Sequence, residues 1–161
     1  MEMINVMTGE MKDGNNGQTL VSNAIGSCVV VAVFDPINKR GAMAHIMLPG
    51  KAPSKPGTNK LRYAHDAIHT MLGELSALGT DSLKLVTCLV GGGNVLKTHD
   101  DRVCRDNIES VTDILNKLNL KVSATSLGGT HRRTTQLYTK TGKFYYTEGN
   151  SSNKLLFDAQ K

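Results

Sequence analysis

Gly26-Ser27-Cys28-Val29-Val30-Val31-Ala32-Val33-Phe34, followed after one turn by Gly41-Ala42-Met43-Ala44-His45-Ile46-Met47-Leu48-Pro49, is the stretch that decides how this chain folds. Val29 to Val33 is apolar at every position, which predicts a strand covered on both faces. Asp35-Pro36-Ile37-Asn38-Lys39-Arg40 is dense in turn formers and predicts that the two runs fold back as a hairpin. With Phe34 near Gly41, Cys28 comes beside Met47 and diagonally near His45. A small change of register would set Cys28 and His45 directly opposite each other. Gly26 lets the backbone bend just before the cysteine. A thiol and an imidazole within reach are the nucleophile and base of a cysteine hydrolase. Each also has a plain structural reading, because a free cysteine in an apolar strand is commonly inert packing and a histidine between two methionines is commonly core.

Outward from the hairpin, the chain reads as α+β with one core. Residues up to Met7 form a first strand, Asp13-Gly14-Asn15-Asn16-Gly17 turns, and Thr19 to Val21 leads into the Gly-Ser-Cys bend. Ala52-Pro53-Ser54-Lys55-Pro56-Gly57-Thr58 is a loop stopped by its prolines. From Lys60 to Leu78, Leu61, Ala64, Ile68, Met71, Leu72, Leu75 and Leu78 recur at helical spacing, and Gly79 ends the run. Leu83 to Val90 is a buried strand. A second amphipathic helix spans Asp101 to Leu118, and Val122 to Ser126, Thr134 to Thr139 and Lys143 to Glu148 are short strands. Thr141-Gly142 turns the last two into a hairpin. No internal repeat is evident.

Composition narrows the class. A chain of 161 residues falls in the single-domain range and can bury a substantial core. Tryptophan is absent and aromatics are few, so that core rests on Val, Leu, Ile, Ala and Met. Three cysteines with no Cys-x-x-Cys pair argue against a disulfide framework or a structural zinc site. No apolar run approaches the roughly 20 residues that span a bilayer, and the N-terminus carries no signal-peptide pattern, which predicts a cytoplasmic protein without membrane insertion. The net charge of +5 draws on Lys51, Lys55, Lys60 and Arg62 around the loop after the hairpin, and on His131-Arg132-Arg133. Such a surface steers an acidic partner or is simply solvated. Nucleic acid is disfavoured, because interleaved aromatics and a binding motif are both missing.

The remaining motifs are weaker. Gly91-Gly92-Gly93-Asn94 follows a strand but lacks the phosphate-loop spacing, so its role is close backbone approach beside the site, as packing or as N–H donors. Gly128-Gly129-Thr130 reads the same way, and Arg133 either orients a loop, contacts a partner or forms a surface salt bridge. His65 and His69 stand one helical turn apart, yet no third ligand follows, and no metal is predicted. Cys88 reads as core and Cys104 as structural.

Along nearly its whole length the chain resembles the chemoreceptor glutamine deamidase family (CheD). The resemblance is carried by Gly9-Glu10, Gly26-Ser27-Cys28-Val29, Asp35-Pro36, Gly41 to Pro49, Tyr63-Ala64, Gly91-Gly92-Gly93, Asn107-Ile108-Glu109-Ser110-Val111, Gly128-Gly129 with Arg133, and Thr141-Gly142-Lys143. It implies Cys28 as nucleophile, His45 as base, and Ser22 at the position where the family carries a threonine. Serine keeps the hydroxyl and loses the methyl that restricts the rotamer. Asn23-Ala24-Ile25 is a second departure, where relatives are richer in glycine and leucine. The implied reaction is hydrolytic deamidation of receptor glutamines through a thioester, with no cofactor. An imidazolium is expected to favour the Cys28 thiolate, and backbone N–H groups at Ser27 and Cys28 are expected to hold the oxyanion.

Gly91, Gly92, Gly128, Gly129 and Arg133 are expected to contact substrate or partner. The implied partners are the cytoplasmic helices of chemoreceptors and a CheC-type phosphatase. A docking module with little or no catalysis is the alternative, and a hydrolase of small amides is a third reading. Pattern and resemblance together predict a mostly antiparallel β-sandwich flanked by two main helices, in α/β/β/α layers. One domain spans 1–161, with a mobile tail over 149–161.

Overall fold

A computed structural model describes residues 2–161. The hairpin forms, and of the two registers left open it takes the one with Phe34 opposite Gly41: β4 (Val29–Asp35) pairs antiparallel with β5 (Arg40–Ile46). Around it assembles one five-stranded sheet, which also includes β2 (Met11–Gly14), β6 (Val86–Gly91) and β7 (Val122–Leu127), in the order β2-β5-β4-β6-β7. The second sheet has β1 (Met3–Asn5), β3 (Thr19–Ile25), β8 (Arg133–Tyr138), β9 (Lys143–Glu148) and β10 (Lys154–Asp158), in the order β1-β3-β8-β9-β10. The pairs β1–β3 and β6–β7 are parallel and the others antiparallel.

Residues of β4 alternate between two cores, which is why every position from Val29 to Phe34 is apolar. Val30, Ala32 and Phe34 face the second sheet and pack with Leu20, Ile25, Leu137 and Phe144. Val29, Val31 and Val33 point the other way, toward α1 (Ala64–Ala77) and α2 (Arg102–Lys117). The α+β class and the two-sheet core with two helices are as the sequence predicts. The layer order differs: both helices share one outer face, giving helices, sheet, sheet instead of α/β/β/α. The reason lies in the second sheet. Its outward positions are Thr134, Gln136, Tyr138, Tyr145 and Thr147, which are half-buried and polar enough to meet water without a helical cover.

The C-terminal segment also departs from expectation. Rather than a mobile tail over 149–161, Lys154–Asp158 is the fifth strand of the second sheet, and Leu156, Phe157 and Ala159 pack against the inter-sheet core. A register shift between Leu155 and Phe157 breaks the apolar alternation that would have marked it as a strand. At the other end, β2 is a short edge strand that the turn-forming Asp13-Gly14 concealed.

Candidate functional site

Cys28 lies at the mouth of the space between the sheets, one residue before β4. Val30 stands opposite His45, so Cys28 is two residues along on the same face and diagonal to the imidazole. The directly opposed register is not adopted. Cys28 is the one partly exposed cysteine, whereas Cys88 and Cys104 are buried. Burial pushes the Cys88 thiol up to about 12, which removes it as a nucleophile at neutral pH.

His45, the candidate base, is held from the other sheet. Ser22 on β3 and His45 on β5 are each 1% exposed. Ser22 Oγ donates to the Val6 carbonyl oxygen at 2.7 Å, and a carbonyl can only accept. The single hydroxyl hydrogen is therefore engaged, and Ser22 Oγ must accept from His45 Nδ1, 2.8 Å away. In neutral imidazole this puts the proton on Nδ1 and leaves Nε2 with its lone pair. Among the described residues Nε2 is buried and has no hydrogen-bond partner. A buried unpaired nitrogen costs roughly 1–3 kcal/mol, and its lone pair is left able to accept a proton. Ser22→Ala removes the acceptor that selects this tautomer. Any reaction that uses His45 as its base is expected to slow about 10- to 100-fold, equivalent to 1–3 kcal/mol, as read in a single-turnover assay.

Burial makes both groups prefer their neutral forms. It lowers the His45 pKa below its usual value, with the Val6 carbonyl working in the opposite direction. It also raises Cys28, opposed by that residue's own backbone amide. Burial thus works against the expected resting thiolate–imidazolium pair, because it favours the uncharged form of each group. The folded chain binds the His45 proton less tightly than the unfolded chain does. Its contribution to stability is complete above the ordinary histidine value near 6.5 and lost as pH falls below it. Urea titrations are expected to show stability falling by up to about 1.4 kcal/mol per pH unit there, with a shallower slope in His45→Gln.

The turn that carries Cys28 is built from carbonyls pinned on several sides. Gly92 N–H donates to Cys28 O at 2.7 Å and Gly93 N–H to Gly26 O at 2.9 Å. Asn107 Nδ2 on α2 donates to Ser27 O at 2.9 Å and to Met47 O at 3.0 Å. Sequence reading placed Asn107 on a helix and gave it no role, although an asparagine in the buried stripe Cys104, Asn107, Val111, Leu115 was the available signal. Gly91, Gly92 and Arg133, expected to contact substrate or partner, are buried and lie behind the turn. Arg133 Nε donates to Ser126 Oγ at 2.9 Å, Nη1 to Gly91 O at 3.4 Å, and Nη2 lies 3.6 Å from Glu148. Gly128 N–H donates to Gly91 O, and Gly129 O accepts from Asn94 N–H. Gly128 is half-buried and Gly129 exposed, so these two remain accessible.

The second departure has a conformational cost. Asn23-Ala24 is an exposed bulge between Ser22 and Ile25, and Ala24 takes φ 53°, a left-handed conformation that costs a non-glycine residue roughly 1 kcal/mol. Beside the turn opens a cleft of about 340 Å³ with Ser27, Asn94 and Thr98 on its walls and the exposed apolar side chains Val95, Leu96 and Val103. His65 and His69 stack at 4.1 Å on α1. Among the described residues no group of three His, Cys, Asp or Glu is arranged to hold a metal ion.

The family profile described as "CheD chemotactic sensory transduction" matches residues 47–148. A probable chemoreceptor glutamine deamidase CheD of Chlorobium luteolum is 38% identical over 94% of this chain and 75% of its own length. The chain belongs to the CheD family. The chemoreceptor glutamine deamidase CheD of Thermotoga maritima is 34% identical over 84% of this chain and 85% of its own. A probable CheD of Methanococcus vannielii is 33% identical over 92% and 96%. The profile match begins after both Cys28 and His45, so membership of the CheD family does not lean on the candidate catalytic pair. The match to the Chlorobium relative leaves out so little of this chain that it takes in both residues.

Proposed function

We propose that this chain hydrolyses glutamine side-chain amides of chemoreceptors to glutamate, with Cys28 as nucleophile, His45 as general base and Ser22 as the residue that orients it. The observation that carries the reading is the buried Nε2 of His45, stripped of its proton by the bond Nδ1 makes to Ser22 and diagonal to the half-exposed Cys28. In a pair that starts neutral, proton transfer accompanies attack. The Cys28 proton goes to Nε2 as sulfur bonds to the carboxamide carbon. The C–N bond then breaks, Nε2 returns the proton to departing ammonia, and a thioester remains. Water adds to the thioester with His45 again accepting a proton, the C–S bond breaks, and glutamate and the thiol are released. The oxyanion of each tetrahedral intermediate is held by backbone N–H at Ser27 and Cys28, each good donor being worth about 3 kcal/mol. The same thioester chemistry accepts a receptor methyl ester, a side reaction of the same site.

The cleft beside Ser27 gives a glutamine side chain its entry, and its apolar lip suits a helix presenting that side chain. Exposed Lys51, Lys55, Lys60 and Arg62 suit an acidic receptor helix. The partner set follows the family: cytoplasmic receptor helices and a CheC-type phosphatase. No described helix is long and apolar enough to cross a membrane, and we place the activity in the cytoplasm. The core shared by the two sheets supports residues 1–161 acting as one domain.

The test is mass spectrometry of a glutamine-bearing receptor cytoplasmic fragment incubated with the protein. Glutamine-to-glutamate conversion at defined sites is the expected result. Binding without conversion would overturn the enzyme reading and leave a docking module, which the raised Cys28 thiol would then explain.

A further inference from the structure

Asn107 sits on a helix stripe whose other members are Cys104, Val111 and Leu115, and it is completely buried. Neither helix propensity nor core packing favours an asparagine there. Its Oδ1 has no partner among the described residues, while its Nδ2 serves two acceptors, Ser27 O and Met47 O. Turning the amide over would set Oδ1 against two carbonyl oxygens, so the donor end is fixed toward them. Those two carbonyls belong to different parts of the site. Ser27 directly precedes the nucleophile, and Met47 lies two residues beyond His45.

The Ser27–Cys28 peptide is trans and planar, so its N–H points opposite to its C=O. With Ser27 O drawn toward α2, the Cys28 N–H is turned away from α2. The carbonyls on either side of this peptide are already taken by Gly93 N–H and Gly92 N–H. No backbone acceptor among the described residues receives the amide of Ser27 or Cys28.

We propose that Asn107 is a positioning residue of the deamidase site: by clamping Ser27 O and Met47 O it aims the Cys28 N–H at the oxyanion and holds the nucleophile turn against the end of the histidine strand. This rests on the deamidase reading for its catalytic consequence, and on geometry alone for the orientation of the amide. The Cys28 amide also opposes the rise of its own thiol pKa, which supplies a readout independent of turnover.

The experiment compares the full chain with Asn107→Leu, which keeps the side-chain volume without donors, and with Asn107→Ser as a smaller replacement. Peptide mass spectrometry follows alkylation of Cys28 by iodoacetamide across pH, and deamidation of the receptor fragment gives kcat and KM. Freeing the amide is expected to move the Cys28 alkylation midpoint upward by about half a pH unit, since the thiolate loses a donor. The kcat is expected to fall about 100-fold with KM unchanged, the signature of one lost oxyanion donor. A packing role alone would loosen the turn, admit water to the thiol and leave the midpoint unmoved or lower, and that result overturns the proposal. So does kcat within about threefold of wild type in a variant that folds. If the wild type converts no glutamine, the deamidase reading fails, and the alkylation profile still decides whether Asn107 orients the amide.

Discussion

Cys28→Ala is expected to abolish glutamine conversion, with a loss on the order of 10⁵- to 10⁶-fold, while the protein stays folded and binds the receptor fragment. The magnitude follows from the chemistry. A carboxamide is a poor electrophile with a poor leaving group, and splitting its hydrolysis through a thioester requires sulfur at this position. Water activated by His45 is no substitute, because a carboxamide is a far poorer electrophile than the thioester that water attacks in the second step. Stability is spared because Cys28 is partly exposed and contributes to neither of the two buried cores. Cys104→Ala provides the contrast. Cys104 lies at the start of α2 on the wall of the cleft with its thiol raised by burial, and its loss should leave conversion far above that of Cys28→Ala. The measurement is time-resolved peptide mass spectrometry at matched enzyme concentration. Conversion above about 1% of the wild-type rate in Cys28→Ala would place the nucleophile elsewhere.

Gly91→Ala is expected to destabilise the fold by more than about 3 kcal/mol and to inactivate whatever remains folded. A Cβ at Gly91 would fall on the carbonyl oxygen of Cys28 and within 2.8 Å of Ile25 Cγ2. The backbone oxygen is not a flexible end that swings aside. It is fixed by the Gly92 N–H, so the nucleophile turn itself would have to move. Gly91 also adopts φ 131°, which side chains rarely take. Gly128→Ala separates these causes, because Gly128 is likewise left-handed at φ 78° but has nothing within 4 Å of its added Cβ. It should cost only about 1–2 kcal/mol, the backbone component alone. Urea denaturation of both variants gives the comparison. Equal losses would mean that close approach to Cys28 is not what requires glycine at 91.

The glycine run illustrates how far the sequence reaches. Gly91-Gly92-Gly93 after a strand signalled close backbone approach, and the approach is real. What the run could not show is that the partner is the Cys28 turn, since 26–28 and 91–93 are brought together only by the pairing of β4 with β6. Arg133 read equally well as an exposed salt bridge or a partner contact, because a lone arginine in a loop-like stretch carries no burial signal. Its packing behind Gly91 depends on β8 lying against the end of β6 and β7.

The hairpin, the place of both helices to within about a turn, and two registers for Cys28 and His45 were legible in the amino-acid sequence, and the diagonal register is the one adopted. These follow from alternation, helical periodicity and turn residues, all of which act over a few neighbouring positions. Only the packed structure shows that Ser22 reaches His45 from the opposite sheet, that Asn107 spans the Cys28 turn and the end of the His45 strand, that both helices share one face, and that β10 joins the second sheet. The Ser22 and Asn107 contacts join groups 23 to 80 residues apart that meet across packed layers. Local pattern fixes which face of a strand or helix is apolar. Which other element covers that face, and which polar atoms are trapped beneath it, is set by how the layers stack.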